Sequence, residues 1–271
     1  MINRIKSLIF SPLINIKKIL LKIESFFLTF SYVIKNYEKK QTQLFADLNL
    51  DRSKGLNLFN ELKKNSKIFD RLMSSEHKVL FASLSLSNNN FKEVMEIGTF
   101  DGENALYLSK IFPSSKITTY DLDETDHYFK SSYNRKNKEI RKKFCDDRDS
   151  ILKMSNNIVF KKSNSLNLTF SEKKFDLIWI DGAHGYPFVT IDIINSLRLL
   201  NNHGYLICDD VWKSSPLIQD EMYNSIATYE TLNALKNCQL IEFQLIYKRL
   251  DKINNSNKRL RKYIAIVKKI N

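Results

Sequence analysis

A histidine follows an aspartate by three residues in the segment IWIDGAHGYPF, residues 178–188. The ordinary pKa of imidazole, about 6.5, leaves His184 largely neutral near pH 7, so it can accept a proton from a reacting hydroxyl. The same side chain can instead bond the loop backbone or orient a substrate. The segment therefore predicts either a general base or a structural histidine. Two other histidines, His77 and His127, have no partner in the sequence and are predicted to lie at the surface.

A glycine turn lies upstream, in EIGTFDGENA, residues 96–105. Gly98 and Gly102 stand between an apolar run and a helical pattern, where a tight turn or a close ligand requires glycine. A helix N-terminus after such a turn favours a carboxylate or a phosphate. The GxxxG spacing differs from the GxGxxG dinucleotide fingerprint and argues against a nicotinamide-dependent dehydrogenase. Asp121 ends the next apolar run, where it can bind ribose hydroxyls or cap the following helix.

The elements that position these residues are short apolar runs alternating with helical patterns. This alternation predicts an α/β fold with a Rossmann-like, doubly wound and mostly parallel sheet of seven strands. The polar-linked runs CQLIEFQLIYKRL and KYIAIVKKI near the end of the chain predict a terminal hairpin, so one strand runs antiparallel. The five preceding strands are predicted at FKEVMEIG, SKITTYDLD, NNIVFKKSNS, KFDLIWIDG and GYLICDD.

Residues 1–70 are predicted to form a basic helical extension ahead of a domain over residues 71–271. Their apolar residues recur at helical spacing, and lysines are frequent among them. The helices either cap the core or present an amphipathic surface that docks on a membrane or a partner. Charged residues interrupt every window long enough to span a bilayer, and no signal-peptide cleavage site follows.

The chain is strongly basic, with 43 Lys and Arg against 30 Asp and Glu, a formal charge of +13. Such a charge favours acidic partners: nucleic acid, anionic lipid or phosphorylated substrates. Hydrophobic residues make up 43% of the sequence, which excludes a wholly disordered chain. The three cysteines lie far apart and lack CxxC spacing. They predict a reducing, cytoplasmic compartment rather than a disulfide framework.

Over about residues 91–271 these motifs resemble the class I S-adenosylmethionine-dependent methyltransferases. EIGTFDG is similar to the family's first motif, in which the glycine turn meets the methionine part of the cofactor. Asp121 matches the ribose-binding acid, and Asn164 occupies the position near adenine where the family often has an acidic residue. The resemblance implies that the cofactor is bound by Glu96, Gly98, Thr99, Phe100, Gly102, Asn104, Asp121, Asn164, Ser165 and Asp181.

FDLIWIDGAHGY and LLNNHGYLICDDV further resemble methyltransferase family 24 and the metal-dependent O-methyltransferases of catechols, caffeoyl thioesters, and macrolide and aminocoumarin sugars. In those enzymes, residues that end the fourth and fifth strands hold a divalent cation, and the matching positions are Asp181, Asp209 and Asp210. Carboxylate oxygens suit Mg²⁺, Mn²⁺ or Ca²⁺ rather than zinc. His184 stands where the catechol enzymes have a general-base lysine, so the implied catalytic residues are His184 and Asp181. Aspartates after strands also form turns and caps, which is the structural alternative.

The sequence therefore predicts an enzyme that methylates a hydroxyl of a small molecule or glycan, including phosphorylated or lipid-linked acceptors. An RNA-directed or other nucleic-acid-binding methyltransferase is the alternative that the positive charge suggests, although no RNA-binding module is recognisable. A catalytically inactive methyltransferase-like scaffold is a further alternative. We expect a cytoplasmic protein, either free or at the inner face of a membrane through its N-terminal helices, and either a monomer or a homo-oligomer.

Overall fold

The structure, a computed structural model, describes residues 2–70, 75–216 and 223–270. The described residues form eleven α-helices and seven strands. The strands are β1 (Glu93–Ile97), β2 (Lys116–Asp121), β3 (Ile158–Lys162), β4 (Phe175–Ile180), β5 (Leu200–Trp212), β6 (Ile241–Tyr247) and β7 (Lys262–Lys269). The helices are α1 (Ile2–Phe30), α2 (Ile34–Ala46), α3 (Arg52–Asn65), α4 (Lys67–Asp70), α5 (Glu76–Ser85), α6 (Glu103–Ile111), α7 (His127–Ser131), α8 (Lys138–Leu152), α9 (Phe188–Leu199), α10 (Ala227–Asn237) and α11 (Lys252–Asn255).

The strands of the described chain form one sheet in the order β3-β2-β1-β4-β5-β7-β6. β1 to β5 pair in parallel, and β7 runs antiparallel to both β5 and β6. The predicted Rossmann-like sheet and its terminal hairpin are therefore confirmed. The chain order reverses between β1 and β4, and ligands of such sheets bind beyond the carboxyl ends of the strands at this switch point.

Both faces of the sheet are buried, which explains why the strands read as continuous apolar runs. Along β4, Leu177 and Trp179 enter one core cluster, whereas Ile178 and Ile180 enter the other. The first cluster is covered by α2, α3, α5 and α6, and the second by α9 and α10. The N-terminal extension thus contributes to the main core through α2 and α3.

The N-terminal helices also bear on the prediction about membranes. No helix among residues 2–70, 75–216 and 223–270 is long and apolar enough to cross a bilayer. α1 is 29 residues long, but lysines interrupt its apolar sequence.

Candidate active site

The carboxyl ends of β1, β2, β4 and β5 open onto one cavity of about 610 Å³, a size typical of ligand pockets. Glu96, Thr99 and Gly102 do not line this cavity, but they support residues that do. The predicted site residues that line it are Gly98, Phe100, Asn104, Asp121, Asn164, Ser165, Asp181, His184, Asp209 and Asp210. Residues chosen from five separate sequence segments therefore meet at the switch point of the sheet.

The turn after β1 packs directly against the end of β4. Gly98 has a φ of +100°, and a Cβ placed on it would lie 2.3 Å from the carbonyl oxygen of Asp181. Its N–H donates to the carbonyl oxygen of Tyr120 over 2.9 Å. Gly102, with a φ of +81°, then begins α6. Glycine is required at Gly98 for both its positive φ and this close approach.

Replacing Gly98 with alanine is expected to lower the free energy of unfolding by about 3 kcal/mol, because the new methyl group meets backbone atoms at a strained φ. Chemical denaturation followed by circular dichroism measures this loss. Alanine at Gly182, where a Cβ would have no neighbour closer than 3.5 Å, is the matched control and should cost much less. Equal losses in the two variants would contradict the close packing of these strand ends.

A buried polar cluster lies behind the glycine turn. Glu96 of β1 is fully buried and accepts hydrogen bonds from Asn104 Nδ2 over 2.6 Å and from Thr119 Oγ1 over 2.5 Å. Burial raises the pKa of Glu96 to about 7, although both hydrogen bonds oppose that rise. The hydroxyl groups of Thr99 and Thr119 lie 2.6 Å apart. The cluster holds Asn104, and with it the start of α6, in place at the cavity wall.

Lys78 and His77 of α5 also line the cavity, although no sequence pattern indicated either residue. Lys78 donates a hydrogen bond to Asn104 Oδ1, and burial lowers the pKa of Lys78 to about 8. The prediction that His77 lies on the surface is wrong: its ring packs 5.0 Å from that of Trp179, and its Nδ1 lies 2.8 Å from Ser75 Oγ. Both residues lie on α5, whose sequence pattern is typical of a helix packed in the core.

Asp121 lies where β2 ends. One carboxylate oxygen accepts the Phe100 N–H over 2.9 Å, and the other accepts the Leu122 N–H over 2.8 Å. Burial raises the pKa of Asp121, and these backbone hydrogen bonds oppose the rise. Each carboxylate oxygen can accept more than one hydrogen bond, so Asp121 retains acceptor capacity towards the cavity that it lines.

Asn164 and Ser165 stand at the cavity wall beyond β3. The Asn164 side chain accepts the Leu166 N–H over 3.0 Å and caps a short 3₁₀ helix, Ser165–Phe170. Close by, the carboxylate of Asp192 on α9 lines the same cavity and is 2% exposed. Its Oδ1 has no hydrogen-bond partner among the described residues, and burial raises its pKa to about 6. Asp192 Oδ1 is therefore an acceptor without a partner among the described residues, on a carboxylate that also hydrogen-bonds Ser165, next to the residue predicted to meet adenine.

His184 lies between two acidic side chains at the ends of β4 and β5. Its Nε2 is 3.8 Å from Asp181 Oδ1 and 3.9 Å from Asp210 Oδ2. Burial lowers the pKa of His184, with Asp210 and Asp209 opposing that effect. Burial and the charge of Asp209 raise the pKa of Asp181. The predicted catalytic pair is thus brought together, with a neutral imidazole that has carboxylates near its Nε2.

Two lysines from the terminal hairpin bind the acidic pair at the end of β5. Lys248 Nζ donates to Asp209 Oδ2 over 2.6 Å and also to Asp210 Oδ1, and Lys262 Nζ donates to Asp210 Oδ2 over 2.6 Å. Asp209 is 2% exposed. Burial alone would lower the pKa of Lys248, but Asp209 and Asp210 raise it above its ordinary value. Lysine ammonium groups therefore neutralise both aspartates.

The structure does not show the predicted metal centre. Asp209 Oδ2 and both carboxylate oxygens of Asp210 accept hydrogen bonds from lysines, whereas Asp209 Oδ1 has no partner among the described residues. A divalent ion would have to share these oxygens with the lysines. Within residues 2–70, 75–216 and 223–270, no group of three His, Cys, Asp or Glu side chains has the geometry of a metal site. The sequence did not indicate the two lysine partners, because Lys248 and Lys262 lie far along the chain in a segment rich in lysine.

Comparison with known proteins identifies the domain. A family model described as a methyltransferase domain, methyltransferase family 24, matches residues 95–211. The O-methyltransferase TomG of Streptomyces achromogenes, involved in tomaymycin synthesis and solved with S-adenosylmethionine, is 13% identical and covers 89% of this chain and 100% of its own, with a TM-score of 0.51. The methyltransferase PaMTH1 of Podospora anserina, solved with S-adenosylhomocysteine, is 16% identical and covers 80% and 88%, with a TM-score of 0.50. No curated protein sequence matches this chain.

The matched region contains every predicted cofactor-binding residue, from Glu96 to Asp181, and ends one residue after Asp210. The two solved structures share the fold of the seven-stranded sheet described above. The family match over residues 95–211 contains the motifs that carry the resemblance and confirms it there. Residues 95–211 therefore form a methyltransferase domain, and the chain has the class I fold of S-adenosylmethionine-dependent methyltransferases.

Proposed function

We propose that this enzyme transfers the methyl group to a hydroxyl oxygen of a small molecule or glycan, with His184 as the general base. The observation that carries the proposal is the position of the His184 imidazole, 4% exposed and flanked by Asp181 and Asp210 at the cavity. An alcohol hydroxyl holds its proton tightly at neutral pH, so its attack on a methyl group is helped by a base at the oxygen. A neutral buried imidazole is suited to that task.

The residues around the cavity fit the parts of the cofactor. The glycine turn at Gly98 leaves room for the methionine part, and the Lys78 ammonium group offers a partner for its carboxylate. Asp121 keeps acceptor capacity for the ribose hydroxyls. Asn164 and the unpaired oxygen of Asp192 supply polar groups for adenine. When bound, S-adenosylmethionine supplies a methyl group on a positively charged sulfur.

The same geometry supports a path for the proton of the acceptor hydroxyl and a site for the positive charge that forms on His184. His184 Nε2 would take the proton of the acceptor hydroxyl as that oxygen attacks the methyl group that bound S-adenosylmethionine would supply, and neutral S-adenosylhomocysteine would be the leaving group. The imidazolium that forms lies within 4 Å of Asp181 and Asp210, which stabilise its charge. Holding hydroxyl, base and methyl group together supplies much of the remaining acceleration.

The arrangement of charges favours a mechanism in which lysine ammonium groups serve where related enzymes use a metal. Lys248 and Lys262 balance the acidic pair that would otherwise bind a cation. The pair then remains ordered beside His184 without an exchangeable ion. We therefore depart from the metal-assisted mechanism that the motifs suggested, because the aspartates of the pair already have their counter-charges.

Turnover is expected to survive removal of divalent metal. The enzyme is treated with EDTA, and formation of S-adenosylhomocysteine is measured with the small-molecule, glycan and nucleic-acid fractions of a cell extract as separate acceptors. We expect activity with a small-molecule or glycan fraction to change less than about twofold on adding Mg²⁺. If EDTA lowered turnover by more than about tenfold and Mg²⁺ restored it, the metal-assisted mechanism would be supported instead. Methylation confined to the nucleic-acid fraction would favour the RNA-directed alternative.

A further inference from the structure

We propose that α1 docks this enzyme on an anionic membrane surface through a single exposed apolar face, here called the α1 stripe. Its seven side chains are each between 48% and 74% exposed. They recur at intervals of three and four residues, so they lie on one side of the helix over a length of about 20 Å. The stripe consists of Ile16, Ile19, Leu20, Ile23, Phe26, Phe27 and Phe30.

The opposite side of α1 is attached to the body of the protein. Ser25 Oγ accepts a hydrogen bond from Asn257 Nδ2 over 3.0 Å. Just after the helix, the Tyr32 hydroxyl donates to the carbonyl oxygen of Leu250 over 2.7 Å and accepts from Asn255 Nδ2 over 2.8 Å. Asn255 and Asn257 are almost fully buried. The helix is therefore held with a fixed orientation, and the stripe faces away from its attachment.

The charges beside the stripe match an anionic bilayer. By the helical repeat, Lys17 and Lys22 lie beyond opposite edges of the stripe, and Lys18 lies on the polar side of the helix; all three are exposed. Glu24 lies beside the same edge as Lys17, where it pairs with Arg259 over 3.7 Å and accepts a hydrogen bond from Asn257 Nδ2 over 3.4 Å. Apolar side chains flanked on both sides by lysines are typical of helices that lie in a membrane interface, with the lysines reaching the headgroups.

A second copy of the chain fits the stripe less well. If two α1 stripes packed face to face, the flanking lysines of both copies would come together at the edges of the interface. Paired helices usually place opposite charges at those edges, but Glu24, the acid among residues 15–30, already pairs with Arg259 of its own chain. Anionic lipid supplies both the apolar layer and the negative charge, and is therefore the occupant that we infer.

The attachment also links the membrane face to the active site. α1 and Tyr32, two residues beyond its end, bind the connection between β6 and β7 through Leu250, Asn255 and Asn257. The ends of that connection are Lys248 and Lys262, the two lysines that donate hydrogen bonds to Asp209 and Asp210. A membrane-docked α1 would thus hold the enzyme by the segment that closes one side of the site. The inference concerns location, and it stands whichever hydroxyl is methylated.

The test is co-sedimentation of the full-length protein with vesicles of phosphatidylcholine, with and without phosphatidylglycerol. The double variant Ile23→Glu, Phe27→Glu should bind anionic vesicles about a hundredfold more weakly, since each buried apolar side chain supplies about a tenfold factor. Phe170→Glu changes a side chain that is 84% exposed elsewhere and should bind like wild type. Replacing Lys17, Lys18 and Lys22 with glutamine should weaken binding several-fold, on anionic vesicles alone.

Binding of S-adenosylmethionine by calorimetry checks that each variant is folded, because the stripe lies outside the cavity. If the double variant bound anionic vesicles as tightly as the wild-type protein, the proposal would be overturned. Failure of the wild-type protein to bind these vesicles would also overturn the proposal. Light scattering would then show whether the protein is a monomer or a dimer that the double variant disrupts. The dimer result would assign the stripe to a second copy, and neither outcome would affect the proposed methylation of a hydroxyl.

Discussion

Replacing His184 with alanine is expected to lower kcat about a thousandfold while the dissociation constant for S-adenosylmethionine stays within about twofold of wild type. The reason is the position of the imidazole between Asp181 and Asp210, where it receives the proton of the acceptor. Its Nδ1 has no hydrogen-bond partner among the described residues, so little of the loop depends on it. The measurement is the initial rate of S-adenosylhomocysteine formation at saturating cofactor.

His203→Ala provides the matched control, because His203 is exposed in the loop-like start of β5 and should leave turnover unchanged. The acid limb of the wild-type pH–rate profile should also disappear in the His184 variant, since a base loses activity as it becomes protonated at low pH. Unchanged turnover in His184→Ala would return this histidine to a structural role. A matching loss of cofactor binding and thermal stability would do the same.

Replacing Lys248 with methionine is expected to lower the free energy of unfolding by about 3 kcal/mol, because it removes the cation that balances the buried carboxylate of Asp209. Asp209 loses the donor that the structure gives its Oδ2, whereas Asp210 keeps its hydrogen bond from Lys262. Methionine retains most of the side-chain volume, so the loss reports charge rather than packing. Urea denaturation near pH 7 measures it.

Two further variants identify the cause. Adding Asp209→Asn to Lys248→Met should recover part of the lost stability, because it removes the carboxylate charge that the lysine no longer balances. Lys236→Met, at an exposed position on α10, should change stability little. The Lys248 variant should also be stabilised by Mg²⁺, which can then approach the acidic pair, whereas wild type should not. Equal stability of wild type and Lys248→Met would contradict the role assigned to this lysine.

The strand ends could be predicted from the sequence because each signal is local. A run such as FDLIWI is apolar throughout since both faces of β4 are buried, and the residues that follow it must turn. Gly98 and Gly102 marked a turn that only glycine fills easily, and the structure gives both a positive φ. Asp121, Asp181 and Asp209 ended predicted strands, so parallel pairing brought them to one edge of the sheet.

The partners of these residues could not be predicted, because they come from parts of the chain that carry no local signal. Lys248 follows β6 and Lys262 begins β7, in a segment where lysine is common. Lys78 lies on a helix whose buried positions read as core. Without these cations the acidic pair suggested a metal ion. The site depends on how the terminal hairpin and α5 pack against the sheet, which periodicity does not specify.

The most direct test of hydroxyl methylation uses S-adenosylmethionine labelled with ¹³C in its methyl group. Enzyme treated with EDTA is incubated with the acceptor fraction that supports turnover, and the carbon chemical shift of the product methyl group is measured by NMR. We expect an O-methyl signal that wild type produces without added metal and that His184→Ala fails to produce. A methyl group on nitrogen, carbon or sulfur, or an O-methyl signal that His184→Ala produces at the wild-type rate, would contradict the proposed chemistry.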